Sequence, residues 1–160
     1  MAILSIDVGT TESGYVILQF PFQLIEFGKV SNDVLLDIVK NKQYEKLIYE
    51  EFQSYGMPIG ESTIKSITWN GRYIQSALDR GIPTYHVYRK DEKMTLCGSM
   101  KAKDSNIRQA LIDRYAKFDF KNGKGKKANP DVFYGVSKDV WSAIAVGVTY
   151  WEMKEGREIK

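Results

Sequence analysis

The chain has 160 residues, 43% hydrophobic and 27% charged, enough for one domain, 1–160, to bury a core without disulfide staples. Its one cysteine, Cys97, excludes an internal disulfide framework, and no apolar run approaches the roughly 20 residues a membrane-spanning helix needs. The net charge of +3 is too small to name a partner, but segment 101–130 holds nine Lys/Arg against three Asp/Glu, so the positive charge is concentrated there.

Residues 2–8 (Ala-Ile-Leu-Ser-Ile-Asp-Val) form a nearly continuous apolar run that stops at Gly9, the pattern of a buried central strand with Asp7 at its end. Asp7 and Glu12 also interrupt the stretch in which a secretory segment would be apolar, so a cytoplasmic protein is expected. Residues 13–20 and 22–30 predict two more strands, parted at Pro21, in an antiparallel meander. Ser31 or Asn32 then caps an amphipathic helix that runs to Lys42, with apolar residues at 34, 35, 38 and 39. Residues 46–50 predict a short strand ending in Glu50, and 54–60 a glycine-bounded loop.

Glu61 to Arg80 predicts a helix, and Thr84 to Arg89 a strand after the Gly81 and Pro83 punctuation. Asp104 to Lys117 follows as a helix with Ile107, Ala110, Leu111 and Tyr115 on one face, and Ser137 caps a strongly apolar helix to Lys154. Between them Lys121, Lys124, Lys126 and Lys127 alternate with Asn122, Gly123 and Gly125. That composition predicts a flexible basic loop that lies along phosphates, and an ordinary solvated loop has the same composition. Three strands, then helices alternating with two more strands, make an α/β domain: a mixed sheet with helices packed on its faces.

Asp7 and Glu50 end two predicted strands, where the loops of α/β folds place ligands. Asp139 begins a helix whose next residues are almost wholly apolar, so it too is an acid beside the core. Three oxygen donors from separate elements suit Mg²⁺ or Mn²⁺. One His and one Cys exclude a Cys/His zinc set, and His86 and Cys97 are expected to be structural.

Four blocks of the chain resemble the RuvC-type Holliday-junction resolvases of the RNase H-like superfamily, especially their divergent bacteriophage and prophage branch. The first is Ser5-Ile6-Asp7-Val8-Gly9-Thr10-Thr11-Glu12-Ser13-Gly14-Tyr15, and the second Leu47-Ile48-Tyr49-Glu50 followed by Phe52 and Tyr55. A third runs from Lys93 through Gly98 and Ala102 to Ile107, with Asp104 where the family has a second lysine and Lys101 and Lys103 close by. The fourth is Lys138-Asp139-Val140-Trp141-Ser142-Ala143-Ile144-Ala145-Val146, in which Ser142 replaces the second of two family aspartates.

The resemblance implies a five-stranded RNase H-like mixed sheet with helices on both faces, and an endonuclease that cleaves branched DNA by two-metal-ion hydrolysis. It implies Asp7, Glu50 and Asp139 as ligands of Mg²⁺ or Mn²⁺, with Asp104 or Asp131 as possible stand-ins for the missing acid, and Lys93 beside the scissile phosphate. Lys101, Lys103, Lys124, Lys126 and Lys127 are expected on the DNA backbone. Phe52 or Tyr55 would stack on bases at the branch point, unless they belong to the core. A four-way junction has two symmetric cuts, which implies a homodimer; helix 61–80 offers Ile64, Ile67, Trp69, Tyr73 and Ile74 as contacts. Two rivals remain: a branched-DNA-binding protein that does not cleave, motivated by Ser142, and an actin-like or sugar-kinase ATPase domain, because Asp7 to Ser13 resembles a phosphate-binding turn.

Overall fold

A computed structural model describes residues 1–155; residues 156–160 of the expected 1–160 domain lie outside it. Its five-stranded sheet has the order β3-β2-β1-β4-β5, with β1 (Ala2–Asp7), β2 (Glu12–Gln19), β3 (Gln23–Ser31), β4 (Lys46–Glu50) and β5 (Thr84–Val87). β1, β2 and β3 pair antiparallel, whereas β1, β4 and β5 run parallel, so the sheet is mixed. β1 is central because its residues are apolar on both faces.

Successive strand residues point to opposite faces, and two cores follow from that alternation. Leu4 and Ile6 of β1, Tyr15 and Ile17 of β2 and Leu47 of β4 meet α1 (Asn32–Asn41) and α2 (Glu61–Asp79). Ile3, Val16, Leu18 and Ile48 meet α4 (Asp104–Tyr115) and α5 (Lys138–Tyr150) on the other face. The fold is therefore the RNase H-like α/β arrangement, with helices on both faces. Ser31 is the cap of α1, its hydroxyl accepting from the Val34 N–H at 3.3 Å.

Ser5 is fully buried on the α5 face, and its hydroxyl donates to the Ala143 carbonyl at 2.6 Å. One turn on, a Cβ at Gly147 would lie 2.7 Å from Leu18 and 3.1 Å from the Ser5 Cβ. Small residues thus let α5 approach the sheet closely, which fixes where its first turn comes to rest.

Three expectations change. The strand predicted for 84–89 ends at Val87, and Arg89–Glu92 forms a one-turn helix, α3, continued by a π-helical turn over Lys93–Cys97. Segment 117–131 is an ordered two-stranded ribbon rather than a flexible loop, with β6 (Gly125–Lys126) against β7 (Asn129–Pro130). Asp131 organises it by accepting from the N–H groups of Lys117, Phe118, Asp119 and Val132 at 2.7–3.1 Å. Finally, the predicted α2 contact set divides: Tyr73 is fully buried and Trp69 and Ile74 pack on the core, leaving Ile64 and Ile67 exposed.

Candidate active site

Asp7 and Glu50 end the adjacent parallel strands β1 and β4, whose register pairs Ile6 with Tyr49 one step earlier. Alternation puts both carboxylates on the α5 face: Ile3 and Ser5 precede Asp7 on that side, and Ile48 precedes Glu50. Glu51 falls on the other side, its charge acting on Tyr49.

The third acid arrives through a missing side chain. Asp7 pairs with Gly14 on β2, and Gly14 with Lys29 on β3, so the three form a row across the sheet. A Cβ at Gly14 would sit 2.4 Å from the Asp139 carbonyl oxygen and 3.0 Å from its Cβ, so the first turn of α5 rests on the bare glycine. Asp139 thereby lies between Asp7 and Lys29, and its Oδ2 pairs with Lys29 Nζ at 2.9 Å.

Electrostatics show the convergence. Burial, joined by the neighbouring charges of Glu50, Asp139 and Asp104, pushes the Asp7 carboxyl up to about 7 against the opposing pull of Arg89. Arg89 stands within the cluster, pairing with Glu92 at 3.2 Å and with Asp104 at the start of α4. Burial opposes its charge, and Glu92, Asp104 and Glu50 outweigh that penalty.

The loop after Asp7 is held from inside. Gly9 N–H donates to Ser13 Oγ at 3.0 Å, Ser13 donates to Asn32 Oδ1 at 2.6 Å, and Asn32 Nδ2 donates to the Gly9 carbonyl at 3.0 Å. Only glycine fits at position 9, where a Cβ would meet the Glu12 carbonyl oxygen at 2.1 Å.

The donor set suits a hard divalent cation: all oxygen, partly buried, with Asp7 held up by burial and by like charges that such an ion would relieve. Among the described residues no three acid, His or Cys groups close on one point. Asp139 is instead turned to Lys29.

Of the two stand-in acids, Asp104 belongs to this cluster and Asp131 does not. Asp104 and Ser142 line one small cavity with Arg89, Arg108 and Lys138, and Asp104 acts on Asp7. Asp131 is enclosed by backbone donors that outweigh its desolvation and hold it below the usual carboxylate range, leaving no lone pair for a metal. Lys93 follows Glu92 directly, half-buried in the π-helical turn. Phe52 and Tyr55 are 42% and 74% exposed, on the loop that leaves Glu50, so they are not core residues. His86 is exposed on the edge strand β5. Cys97 packs on the core, and burial pushes its thiol up, away from a nucleophilic thiolate.

Lys101, Lys103, Lys126 and Lys127 are exposed and Lys124 is half-buried. Lys124 shares a cavity with Arg108, Lys121 and Trp141, and that cavity adjoins the smaller one beside Asp104 through Arg108 and Trp141. Sequence reasoning missed Lys29, Arg89, Glu92 and Arg108. The sequence carried no signal for the first three, while Arg108 lies in the basic segment already marked.

No family model matches the chain, and no curated protein matches it in sequence. Its fold is similar to that of Thermus thermophilus RuvC, solved both alone and in complex with a Holliday junction substrate. In each case the TM-score is 0.69 at 15% identity, over 96% of both chains. The Fowlpox virus resolvase, in complex with Holliday junction DNA, gives a TM-score of 0.55 at 15% identity over 94% of this chain and 99% of that one. The yeast mitochondrial Holliday junction resolvase Ydc2 gives 0.58 at 12% identity over 92% and 76%. The chain thus has the fold of the RuvC-type resolvases. Among the described residues no helix is long and apolar enough to cross a membrane.

Proposed function

We propose that this protein is a divalent-metal-dependent endonuclease that cuts branched DNA, with the four-way junction as its substrate. The observation that carries the reading is the gathering of Asp7, Glu50 and Asp139, from three separate elements, at one end of a RuvC-like sheet. A bound Mg²⁺ or Mn²⁺ would acidify a water and neutralise charge on a phosphate there.

In this reading Asp7 is the central ligand because the charges of Glu50, Asp139 and Asp104 all bear on it, with Glu50 and Asp139 on either side. Asp104 takes the place of the acid absent at Ser142. Lys29 holds Asp139 until a cation competes for it, and Lys93 and Arg89 supply positive charge near the phosphate. Lys101, Lys103, Lys124, Lys126 and Lys127 bind the DNA backbone, while the exposed Phe52 and Tyr55 stack on bases at the branch. Two symmetric cuts call for a homodimer, for which exposed Ile64 and Ile67 on α2 remain available as contacts. The chain forms one domain over 1–160 and acts in the cytoplasm, the host's if a phage encodes it. The turn from Asp7 to Ser13 speaks against the ATPase alternative, because the Gly9 N–H that a phosphate would use is taken up by Ser13.

The test is Mg²⁺-dependent nicking of a synthetic four-way junction and of linear duplex of matching sequence. The unchanged protein should nick the junction, whereas Asp7→Asn should lose at least 100-fold in nicking yet still retard the junction in a gel. Junction binding without nicking by the unchanged protein would establish the binding-only alternative, and equal cutting by Asp7→Asn would remove the site from consideration.

A further inference from the structure

We infer that the larger cavity between α4, the start of α5 and the ribbon takes one unpaired nucleotide of a DNA strand, its base against Arg108 and its phosphate on Lys121 and Lys124; the inference rests on the DNA-binding reading above. The cavity measures about 380 Å³, within the range of small-ligand pockets. Ile112 and Trp141, both nearly buried, make its floor. A Cβ at Gly123 would lie 2.8 Å from Phe133 and 3.0 Å from Ile112, so the ribbon wall sits directly on that floor.

Charge makes the cavity seek an anion. Among the described residues Arg108, Lys121 and Lys124 have no acid within ion-pair distance. The acid that lines it, Asp119, spends its carboxylate on the N–H groups of Asn122, Lys124 and Gly125 at 2.9–3.2 Å. The remaining groups suit a base rather than a second phosphate. Arg108 holds its guanidinium over the Trp141 ring, 5.9 Å from the centroid, and such a plane is a surface on which bases stack. Gln109 directs Nε2 to Asp113 and Phe120 and keeps Oε1 as an acceptor, while the Asn122 side chain makes no hydrogen bond among the described residues. An amide offers a donor and an acceptor, as a base edge does, whereas a phosphate only accepts. Bases inside a duplex are stacked and paired, so an opened strand is the partner that fits.

Short oligothymidylate and an abasic oligomer of equal length carry the same phosphates and differ only in their bases. Fluorescence anisotropy with both, in EDTA and at one salt concentration, therefore separates base binding from backbone binding. The unchanged protein should bind oligothymidylate about 10-fold more tightly than the abasic oligomer. Arg108→Lys keeps the charge and loses the plane, and should bring the two affinities within roughly threefold of each other. Asn122→Ala should narrow the difference in the same direction, and Lys121→Ala should weaken both oligomers alike. Because all three side chains are exposed, the melting temperatures should stay as they are. Equal affinity of the unchanged protein for both oligomers, with the four-way junction still retarded in the same buffer, would overturn the inference alone and leave a phosphate groove. A full preference for oligothymidylate in Arg108→Lys would overturn it too, placing the bases on Phe52 and Tyr55. Failure to bind the junction and both oligomers would remove the DNA-binding reading together with this inference.

Discussion

Asp7 is the residue at which folding and the proposed function pull in opposite directions. Its carboxyl is pushed from an ordinary 3.8 up to about 7, first by burial and then by Glu50 and Asp139. An acid whose folded value lies above its unfolded value favours the folded state at low pH. That contribution is lost as pH rises from about 4 through 7. The metal-free protein should therefore melt at a lower temperature at pH 8 than at pH 5.5, and Asp7→Asn should remove most of that difference. At pH 8 the variant should melt roughly 2–8 °C higher, corresponding to ~1–2 kcal/mol for a chain of this size. Melts across that pH range decide it, and a variant that tracks the unchanged protein at every pH would show that Asp7 carries no such strain. Asp7, Glu50 and Asp139 were legible in the sequence because each interrupts or borders an apolar pattern. Lys29, Arg89 and Glu92 were not, because a charged residue in an edge strand or a short turn reads the same whether it faces solvent or another chain segment.

At the scale of elements, the position of the site is decided by how closely α5 approaches the sheet. Ser5, Ala143 and Gly147 let the helix body settle, and Gly14 lets its first turn descend until Asp139 stands beside Asp7. Gly14→Ala would force a Cβ into the Asp139 backbone, and the helix start would have to lift. The expected cost is about 1–3 kcal/mol of stability, with at least a tenfold loss in Mg²⁺-dependent nicking and little change in junction binding. Paired melting, nicking and gel-retardation measurements check this; full activity in the variant would mean that Asp139 is not held in place by that contact. The main elements were readable from apolar periodicity, with boundary shifts of one or two residues at several ends. α3 and its π-helical turn were not, since Arg89 to Lys93 is an uninterrupted charged run with no apolar period. The ribbon was missed for another reason: its order comes from Asp119 and Asp131 accepting backbone N–H groups, which composition does not reveal.

Over the whole molecule, charge is separated in a way that matches the proposed substrate. Glu50, Asp139 and Asp104 gather around Asp7 at the end of β1, while the ribbon and the lysines just before α4 carry the local excess of positive charge. The two cavities that meet at Arg108 and Trp141 join these regions, so a strand held along the ribbon would lead toward the carboxylates. Because the ribbon is fixed by Asp131, its lysines are presented at set positions, and each that meets a phosphate should release counterions on binding. The logarithm of junction affinity should therefore fall linearly with the logarithm of salt concentration. Replacing both exposed lysines at the turn, Lys126→Ala with Lys127→Ala, should make that slope shallower by about two units. Preference for junction over duplex should be retained, because backbone contacts carry no information about branching, and the melting temperature should be unchanged, because neither side chain is buried. Binding titrations over a range of salt concentrations measure all of this. A slope unaltered by the double replacement would place the DNA elsewhere on the molecule, whereas a lost junction preference with the slope intact would mean that the ribbon reads the branch and does not merely hold the backbone.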